Sequence, residues 1–566
     1  MTQSIRLLTR LLVAPLVLAA FVSAASAAAT FGVRAPSITG SYLAGQQALV
    51  DLKTSEAAKY FRQASELDWD NPLVIERAFI AYAADGQVEQ SSVTAQHLLE
   101  LDPGNELARL VVATQAVKEG RYDAAIAELD QLGTDNFAGI TGAILRGWAE
   151  VGAGRYDGAS AMLDELGKDG LDEFLVFHRA MMAEVAGYQD EAIGYASRAY
   201  EADPLVERVA EAYARLLGNA GRFEEATAVA ANFEAEGLTH PLMQIVSDAL
   251  SDQRAPGMFA DSVQTGAAEM YHGIGVALAR DGSIDLAVVF LQLGLYLEPR
   301  ADVMAMALGQ LFDISSQHDI ANAIYDGIPA TSPMKATAVV RVAQNLDAVG
   351  DRPEAIRRLG NIVATNPGDV DAVSVLGDLL RYDEQYGEAA DAYTRALAIE
   401  DGDRPSDWRF YYVRGIAHER DGQWAKAEAD FLRALELNPD QPQVLNYLGY
   451  SWVDQGMNLQ PALEMIQKAV QAAPNDGYIV DSLGWAFYRL GRIDEAVAVL
   501  EQAVQLMPND PEINDHLGDA YWKAGRVLEA RFQWTVAASV DEPDGVVRIR
   551  VAPKLANGLD PTAATQ

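Results

Sequence analysis

Small and apolar positions recur along the chain with a period of about 34 residues, from Ser41 to about Ser539. The clearest unit shows the columns Gly415, Ala427, Phe431, Ala434 and Pro439. The small residues let two helix backbones approach closely, and the large apolar residue between the alanines fills the space toward the next unit. A glycine ends a first helix and a proline ends a second. The pattern therefore predicts about fourteen helix pairs.

Glycines at the predicted turns follow the same period. They recur at nearly equal intervals at Gly86, Gly120, Gly154, Gly187 and Gly221. The next turn glycine, Gly282, is out of step with this period, and the stretch 254–257 has the composition of a turn. This slip predicts a hinge at 253–267, between an N-terminal array at 41–252 and a C-terminal array at 268–540, followed by a polar tail at 541–566.

The period and its columns resemble the tetratricopeptide repeat, a helix–turn–helix unit. The resemblance implies an all-α fold, a right-handed α-solenoid whose first helices line a concave surface. Such surfaces hold peptides or partner proteins.

The N-terminal segment 1–27 resembles a secretory signal. Arg6 and Arg10 form a positive region, 11–22 is apolar, and Ala25-Ser26-Ala27 is a small-residue cleavage site. We expect a signal peptide at 1–27, a linker at 28–40, a periplasmic location and no transmembrane segment after cleavage. A retained membrane anchor is the alternative interpretation, although the apolar run is shorter than the roughly 18 to 20 residues that a spanning helix needs.

Charge and cysteine content exclude several function classes. The chain has 566 residues, with 43 Lys and Arg against 81 Asp and Glu, a net charge of −38. Nucleic acid is therefore not an expected partner, because binding it depends on clustered cations. The absence of cysteine excludes thiol chemistry, Cys-ligated metal and lipidation on cysteine.

Motifs for catalysis are also missing from the sequence. No two of the seven histidines have helical metal-site spacing, and Gly273-Ile274-Gly275 lacks the third glycine of a dinucleotide site. We expect no enzyme activity, no cofactor and no metal.

Aromatic and charged residues cluster on the predicted first helices between 406 and 540. Aromatic residues interspersed with Arg, Asp and Asn are typical of interface hot spots. The alternative is that these aromatics cover neighbouring repeats. The predicted concave-face residues are Tyr412, Arg420, Asn446, Tyr450, Asp454, Tyr478, Asp481, Trp485, Tyr488, Arg489, Asp515, Asp519, Trp522 and Lys523.

The segments 446–450, 481–486 and 515–519 are similar to envelope tetratricopeptide proteins of Gram-negative bacteria, a group that includes the adaptor lipoprotein of a C-terminal processing protease. The resemblance implies a non-catalytic scaffold or adaptor that recruits partners to an envelope complex, with a periplasmic protease as one candidate. The acidic surface predicts partners with basic or apolar segments. The alternative function is a structural component of an export or polysaccharide secretion machine.

Overall fold

The computed structural model describes residues 37–133, 136–166, 172–400, 402–540 and 545–559. These residues form thirty α-helices and no strand. The expected signal peptide at 1–27 lies outside the described residues. Successive helices pack as antiparallel neighbours along the chain, for example α3 with α4 and α26 with α27, so the predicted all-α repeat fold is confirmed.

The chain divides into two compact units, one ending at Val349 and the other beginning at Gly350. The helices of the first unit are α1 (Ile38–Val50), α2 (Thr54–Leu67), α3 (Pro72–Ala84), α4 (Val88–Leu101), α5 (Glu106–Lys118), α6 (Tyr122–Leu129), α7 (Phe137–Gly152), α8 (Tyr156–Leu166), α9 (Asp172–Ala186), α10 (Gln189–Ala202), α11 (Glu207–Asn219), α12 (Phe223–Ala235), α13 (Pro241–Ser251), α14 (Val263–Arg280), α15 (Ile284–Leu297), α16 (Asp302–Ile314), α17 (His318–Gly327) and α18 (Lys335–Ala348).

The second unit contains α19 (Arg352–Thr365), α20 (Val370–Tyr382), α21 (Tyr386–Ile399), a short 3-10 helix (Pro405–Asp407), α22 (Trp408–Arg420), α23 (Trp424–Leu437), α24 (Pro442–Asp454), α25 (Leu459–Ala472), α26 (Gly477–Arg489), α27 (Ile493–Leu506), α28 (Pro511–Lys523), α29 (Val527–Ser539) and α30 (Val546–Asn557).

Local sequence explains where the helices begin and end. Gly86 has φ of 75°, the left-handed conformation that closes a first helix. The next residue, Gln87, donates its N–H to the carbonyl of Tyr82 at 2.8 Å. First helices begin at polar caps such as Asp510, whose side chain accepts from the N–H of Ile513.

The segment 253–267, where the sequence predicts a hinge, is packed inside the first unit. The Arg215 side chain donates to the carbonyl of Pro256 at 2.7 Å, and Ala260 is fully buried. At Gly266, an added Cβ would lie 2.0 Å from the ring of Trp148. The boundary between the units falls instead at 349/350.

The predicted polar tail at 541–566 also needs correction. Residues Val546–Asn557 form α30, which buries Val547 and Val551 against the end of the array. At the other end, α1 begins at Ile38, inside the expected linker 28–40.

In the first unit, α14 and α15 pack against first helices of the N-terminal array. α14 contacts α5, α7 and α9, while α15 contacts α3 and α5. The Gln264 side chain donates to the carbonyl of Val117 at 2.9 Å, and Lys118 Nζ donates to that of Leu297 at 2.9 Å. The first-helix face of this array is therefore occupied by the same chain.

Candidate functional site

All fourteen predicted concave-face residues lie in the second unit, on α22, α24, α26 and α28. These are the first helices of four successive pairs. We call the surface formed by these fourteen residues the A-helix face. It combines exposed, half-buried and fully buried members, which have different roles.

Charged residues of this face pair from one repeat to the next. Arg489 Nη1 lies 3.5 Å from Asp454 Oδ1, and His516 Nδ1 lies 2.9 Å from Asp481 Oδ2. Each partner follows 35 residues after its carboxylate. The same spacing recurs in the pairs between α28 and α30. These pairs hold adjacent helices together.

The pair between Asp481 and His516 is the most buried of these contacts. Side-chain exposure is 8% for Asp481 and 6% for His516. Burial by itself lowers the pKa of His516, but Asp481 and Glu512 outweigh it and raise the pKa to about 10. The imidazole is thus a cation at neutral pH, and the Asp481 carboxylate forms an ion pair with it.

The carboxylates of Asp515 and Asp519 on α28 likewise form ion pairs, with side chains of α30. Asp515 pairs with Arg550 at 2.7 Å, and Asp519 pairs with Lys554 at 2.8 Å. Asp515 is 1% exposed and Asp519 is 6% exposed. Sequence reasoning placed both on an open face, and the structure corrects this: α30 covers them.

The aromatic members form a half-buried row. Tyr412 packs against Phe431 and Tyr447 of the neighbouring helices, with ring centroids 6.2 and 6.0 Å away. Trp485 stacks on Tyr488 at 4.7 Å and on His516 at 4.1 Å.

Two further aromatic residues belong to this row. Burial, reinforced by Asp454 and Asp481, raises the pKa of Tyr450, so its hydroxyl stays protonated. Trp522 packs against Trp534 with ring centroids 5.4 Å apart.

Two polar atoms in this row have no hydrogen-bond partner among the described residues. They are Asn446 Oδ1 on α24 and Trp485 Nε1 on α26, and both are inaccessible to solvent. An unsatisfied buried acceptor or donor costs about 1 to 3 kcal/mol.

The remaining predicted residues are exposed to different extents. Arg420, Asp454 and Lys523 are exposed, and Tyr478 is 56% exposed. Arg489 is half-buried beside Asp454. Among the cationic members, Arg420 and Lys523 are exposed, whereas the Arg489 side chain is only 27% exposed.

Sequence reasoning missed four residues that shape the face: His516, Glu512, Arg550 and Lys554. The sequence suggested His516 only as a metal ligand to be excluded, and it suggested a tail where α30 lies. A signal was present, because Asp515 and Asp519 each precede a cation by 35 residues.

Metal-binding and membrane-spanning features are absent from the part of the chain that the structure describes. No group of three or more His, Cys, Asp or Glu side chains in the described ranges is arranged to hold a metal ion. None of the helices described is both long enough and apolar enough to cross a bilayer.

The fold and the repeated columns define a helical-repeat protein. The sequence pattern of the tetratricopeptide repeat family matches residues 343–405, 376–442 and 412–477, and a related TPR repeat pattern matches 484–525. The chain thus contains tetratricopeptide repeats, as the sequence columns predicted. Repeats of this family bind protein partners.

Curated relatives share only part of this chain. The TPR repeat-containing protein PA4667 of Pseudomonas aeruginosa is 35% identical over 101 residues, which is 18% of this chain and 17% of that protein. Human protein O-mannosyl-transferase TMTC1 is 26% identical over 202 residues, 36% of this chain and 23% of that protein. The chain therefore spans less than a quarter of either relative.

Two solved structures match over most of the chain at low similarity. The Cut9 and Hcn1 hetero-tetramer of APC/C gives a TM-score of 0.38 at 16% identity, covering 92% of this chain and 96% of that chain. Yeast Tom70 gives a TM-score of 0.35 at 13% identity, covering 92% and 95%.

Proposed function

We propose that this protein is a non-catalytic scaffold that binds protein segments on the A-helix face of α22 to α28. The observation that carries the proposal is the half-buried aromatic row together with the exposed side chains of Tyr478, Arg420 and Lys523 on the same face. A peptide crossing this face would contact the exposed edges of the half-buried aromatic rings and pair with the exposed charged side chains. Aromatic residues with nearby polar groups are typical of binding hot spots.

The charge of the protein supports partners with basic or apolar segments. The net charge is −38, so cationic partners approach with a favourable long-range field. Nucleic acid, a polyanion, does not fit this field.

We further propose that the protein acts in the periplasm, recruiting partners to an envelope complex, with a periplasmic protease as one candidate. This proposal rests on the signal-like segment 1–27 and on the resemblance of the C-terminal repeats to envelope tetratricopeptide proteins. Cell fractionation and N-terminal sequencing of the native protein test it. Recovery of uncleaved protein from the cytoplasm would contradict it.

The alternative is a structural component of a secretion machine that binds polysaccharide by stacking on Trp485 or Trp522. In the structure, Trp485 is already stacked on Tyr488 and His516, and Trp522 packs against Trp534. Since both rings already have aromatic neighbours, we favour the protein-binding function.

The deciding variant is Asn446→Leu. Removing an unpartnered buried oxygen should keep or raise the free energy of unfolding, while losing the half-buried amide group from the face should weaken partner binding about tenfold. Affinity capture from periplasmic extract, followed by titration of the captured partner, measures binding.

The same experiment includes a variant that removes aromatic side chains from the A-helix face and a control variant that removes one elsewhere. Trp485→Ala with Tyr488→Ala should abolish capture. Phe532→Ala truncates a side chain that is 65% exposed on α29, away from the A-helix face, and serves as the control. Undiminished capture by Asn446→Leu and by the aromatic pair would rule out the A-helix face.

A further inference from the structure

Helix α30 presents a narrow face to the last helix pair. Val547, Arg550, Val551 and Lys554 lie at positions i, i+3, i+4 and i+7, so they share one side of the helix. The two valines are buried, and the two cations pair with α28. This is how an amphipathic helix binds a groove.

The contact between α30 and α28 is dominated by charge. Arg550 lies 2.7 Å from both Glu512 and Asp515, and Lys554 lies 2.7 Å from Asp515 and 2.8 Å from Asp519. Burial and the adjacent Asp515 both raise the pKa of Asp519. Two buried neighbouring carboxylates require a cation, so this position remains paired only while a basic helix covers it.

Apolar anchoring of α30 is much weaker than that of the preceding first helices. α30 buries Val547 and Val551 and partly buries Leu555, whereas α28 buries the four hydrophobic side chains Ile513, Leu517, Ala520 and Tyr521. Val546 and Ile549 of α30 remain 54% and 72% exposed, and Pro553 interrupts the helix. Since an isolated helix of this length is marginal in water, α30 depends on its ion pairs with α28.

We propose that Glu512, Asp515 and Asp519 form a receptor for a basic amphipathic helix, that α30 is its resident occupant, and that a helix of the partner replaces α30. The partner helix carries two cations four residues apart, flanked by small aliphatic residues, as in Arg550 and Lys554 with Val547 and Val551. The proposal rests on the protein-binding function above and specifies which partner segment reaches the end of the A-helix face.

The test compares full-length variants that differ in the occupancy of the receptor. Arg550→Glu with Lys554→Glu should release α30, since each new carboxylate faces Asp515 or Asp519. Arg531→Glu with Arg548→Glu changes the net charge equally at exposed positions and is the matched control. The probe is a fluorescent peptide with the sequence of residues 545–559.

We expect the released variant to bind the peptide at least tenfold more tightly than the wild-type protein or the control, and to lose that affinity as salt increases. A peptide with both cations replaced by glutamate should not bind. Failure of the released variant to bind, or equal binding by all three proteins, would overturn the proposal. If copies of the wild-type protein associate by exchanging α30, the receptor serves self-association. That result would overturn the proposal that a partner helix binds there.

Hydrogen exchange on the wild-type protein gives a second test that needs no substitution. Amides of α30 should exchange faster than those of α28, and the difference should widen with salt. Exchange of α30 only together with α28 and α29 would show a fixed cap and overturn the proposal. Because the peptide assay uses neither Asn446 nor Trp485, its failure is distinguishable from failure of the A-helix face.

Discussion

His516 Nδ1 lies 2.9 Å from Asp481 Oδ2, although the two residues are 35 positions apart and belong to successive first helices. Both side chains are buried. The pair fixes one repeat against the next and orients the imidazole ring on which Trp485 stacks. An ionic contact inside the repeat stack therefore also positions the aromatic row.

Replacing one partner of this pair should destabilise the second unit strongly. His516→Leu leaves the Asp481 carboxylate buried without a cation, which costs about 3 to 5 kcal/mol. The double variant His516→Leu with Asp481→Leu should recover most of that loss. Urea unfolding at pH 6 measures both, and equal losses in the single and double variants would contradict the prediction.

The same pair predicts a decrease in stability at alkaline pH. The pKa of His516 is raised to about 10, so its stabilising charge is fully present below about pH 6.5 and is lost as pH rises through 10. The difference in unfolding free energy between the wild type and the double variant should shrink across this interval. A constant difference from pH 6 to pH 10.5 would argue against a charged His516.

In the first unit, buried His178 should make the folded protein less stable at acidic pH, the opposite of the effect of His516. His178 is fully buried, with Phe174 at 4.5 Å and Trp148 at 6.2 Å between ring centroids, and neither ring nitrogen has a hydrogen-bond partner among the described residues. Burial lowers its pKa to about 4, so its contribution is present above about pH 6.5 and is lost as pH falls through 4.

His178→Phe should therefore lose less stability on acidification. We expect an advantage of about 1 to 3 kcal/mol over the wild type at pH 4.5 compared with pH 7. Thermal unfolding at the two pH values measures it. A parallel decline in both proteins would assign the acid sensitivity to other groups.

Replacing the carboxyl group of Glu184 on α9 by a neutral amide should stabilise the folded protein. Burial raises the pKa of Glu184 to about 7, partly opposed by hydrogen bonds from the backbone of Phe259 and from Asn219. Its stabilising contribution is present below about pH 4.5 and is lost as pH rises through 7. Glu184→Gln should thus stabilise the protein by about 1 kcal/mol at pH 8 and much less at pH 5. Equal effects at both pH values would contradict this assignment.

Gly266 predicts a steric limit on the packing of α14 against α7. A Cβ at this position would lie 2.0 Å from the ring of Trp148, which is fully buried. Gly266→Ala should cost about 1 to 3 kcal/mol through overpacking. Gly194→Ala, in an open position of α10, should instead stabilise by about 0.5 to 1 kcal/mol. Calorimetry on both variants compares the same chemical change in two environments.

The sequence pattern predicted the repeat fold well because each column has a local cause. The glycine and alanine columns report close helix approach within a unit, and the turn glycines report left-handed backbone. Contacts between repeats that are far apart in the sequence produce no such periodic pattern. The pattern therefore could not predict that α14 and α15 pack on α3, α5, α7 and α9. One signal was present in the sequence: α15 is unusually apolar, with Asp285 and Gln292 as its polar residues, which is typical of a helix covered on more than one side.

The sequence predicted which helices carry the candidate residues, but not how deeply each residue is buried. Residues such as Tyr478 and Arg420 are exposed as expected, whereas Asp481, Asp515 and Asp519 are buried in ion pairs. A carboxylate on a first helix looks the same in the sequence whether solvent or a cation faces it. Whether these carboxylates are exposed or paired depends on the packing of α30 and the burial of His516, which only the structure shows.

Because α15 contacts helices far earlier in the chain, we expect the first unit to fold more slowly and more cooperatively than an open repeat array. Repeat arrays fold through contacts between neighbouring units, and their stability is roughly additive. Here the Gln292 side chain donates to the carbonyl of Ala84, 208 residues earlier in the chain. Such distant contacts raise contact order and slow folding. During synthesis, the N-terminal repeats must wait for α15 before their first-helix face is covered, so a nascent chain ending before Val263 would expose that face to chaperones and proteases.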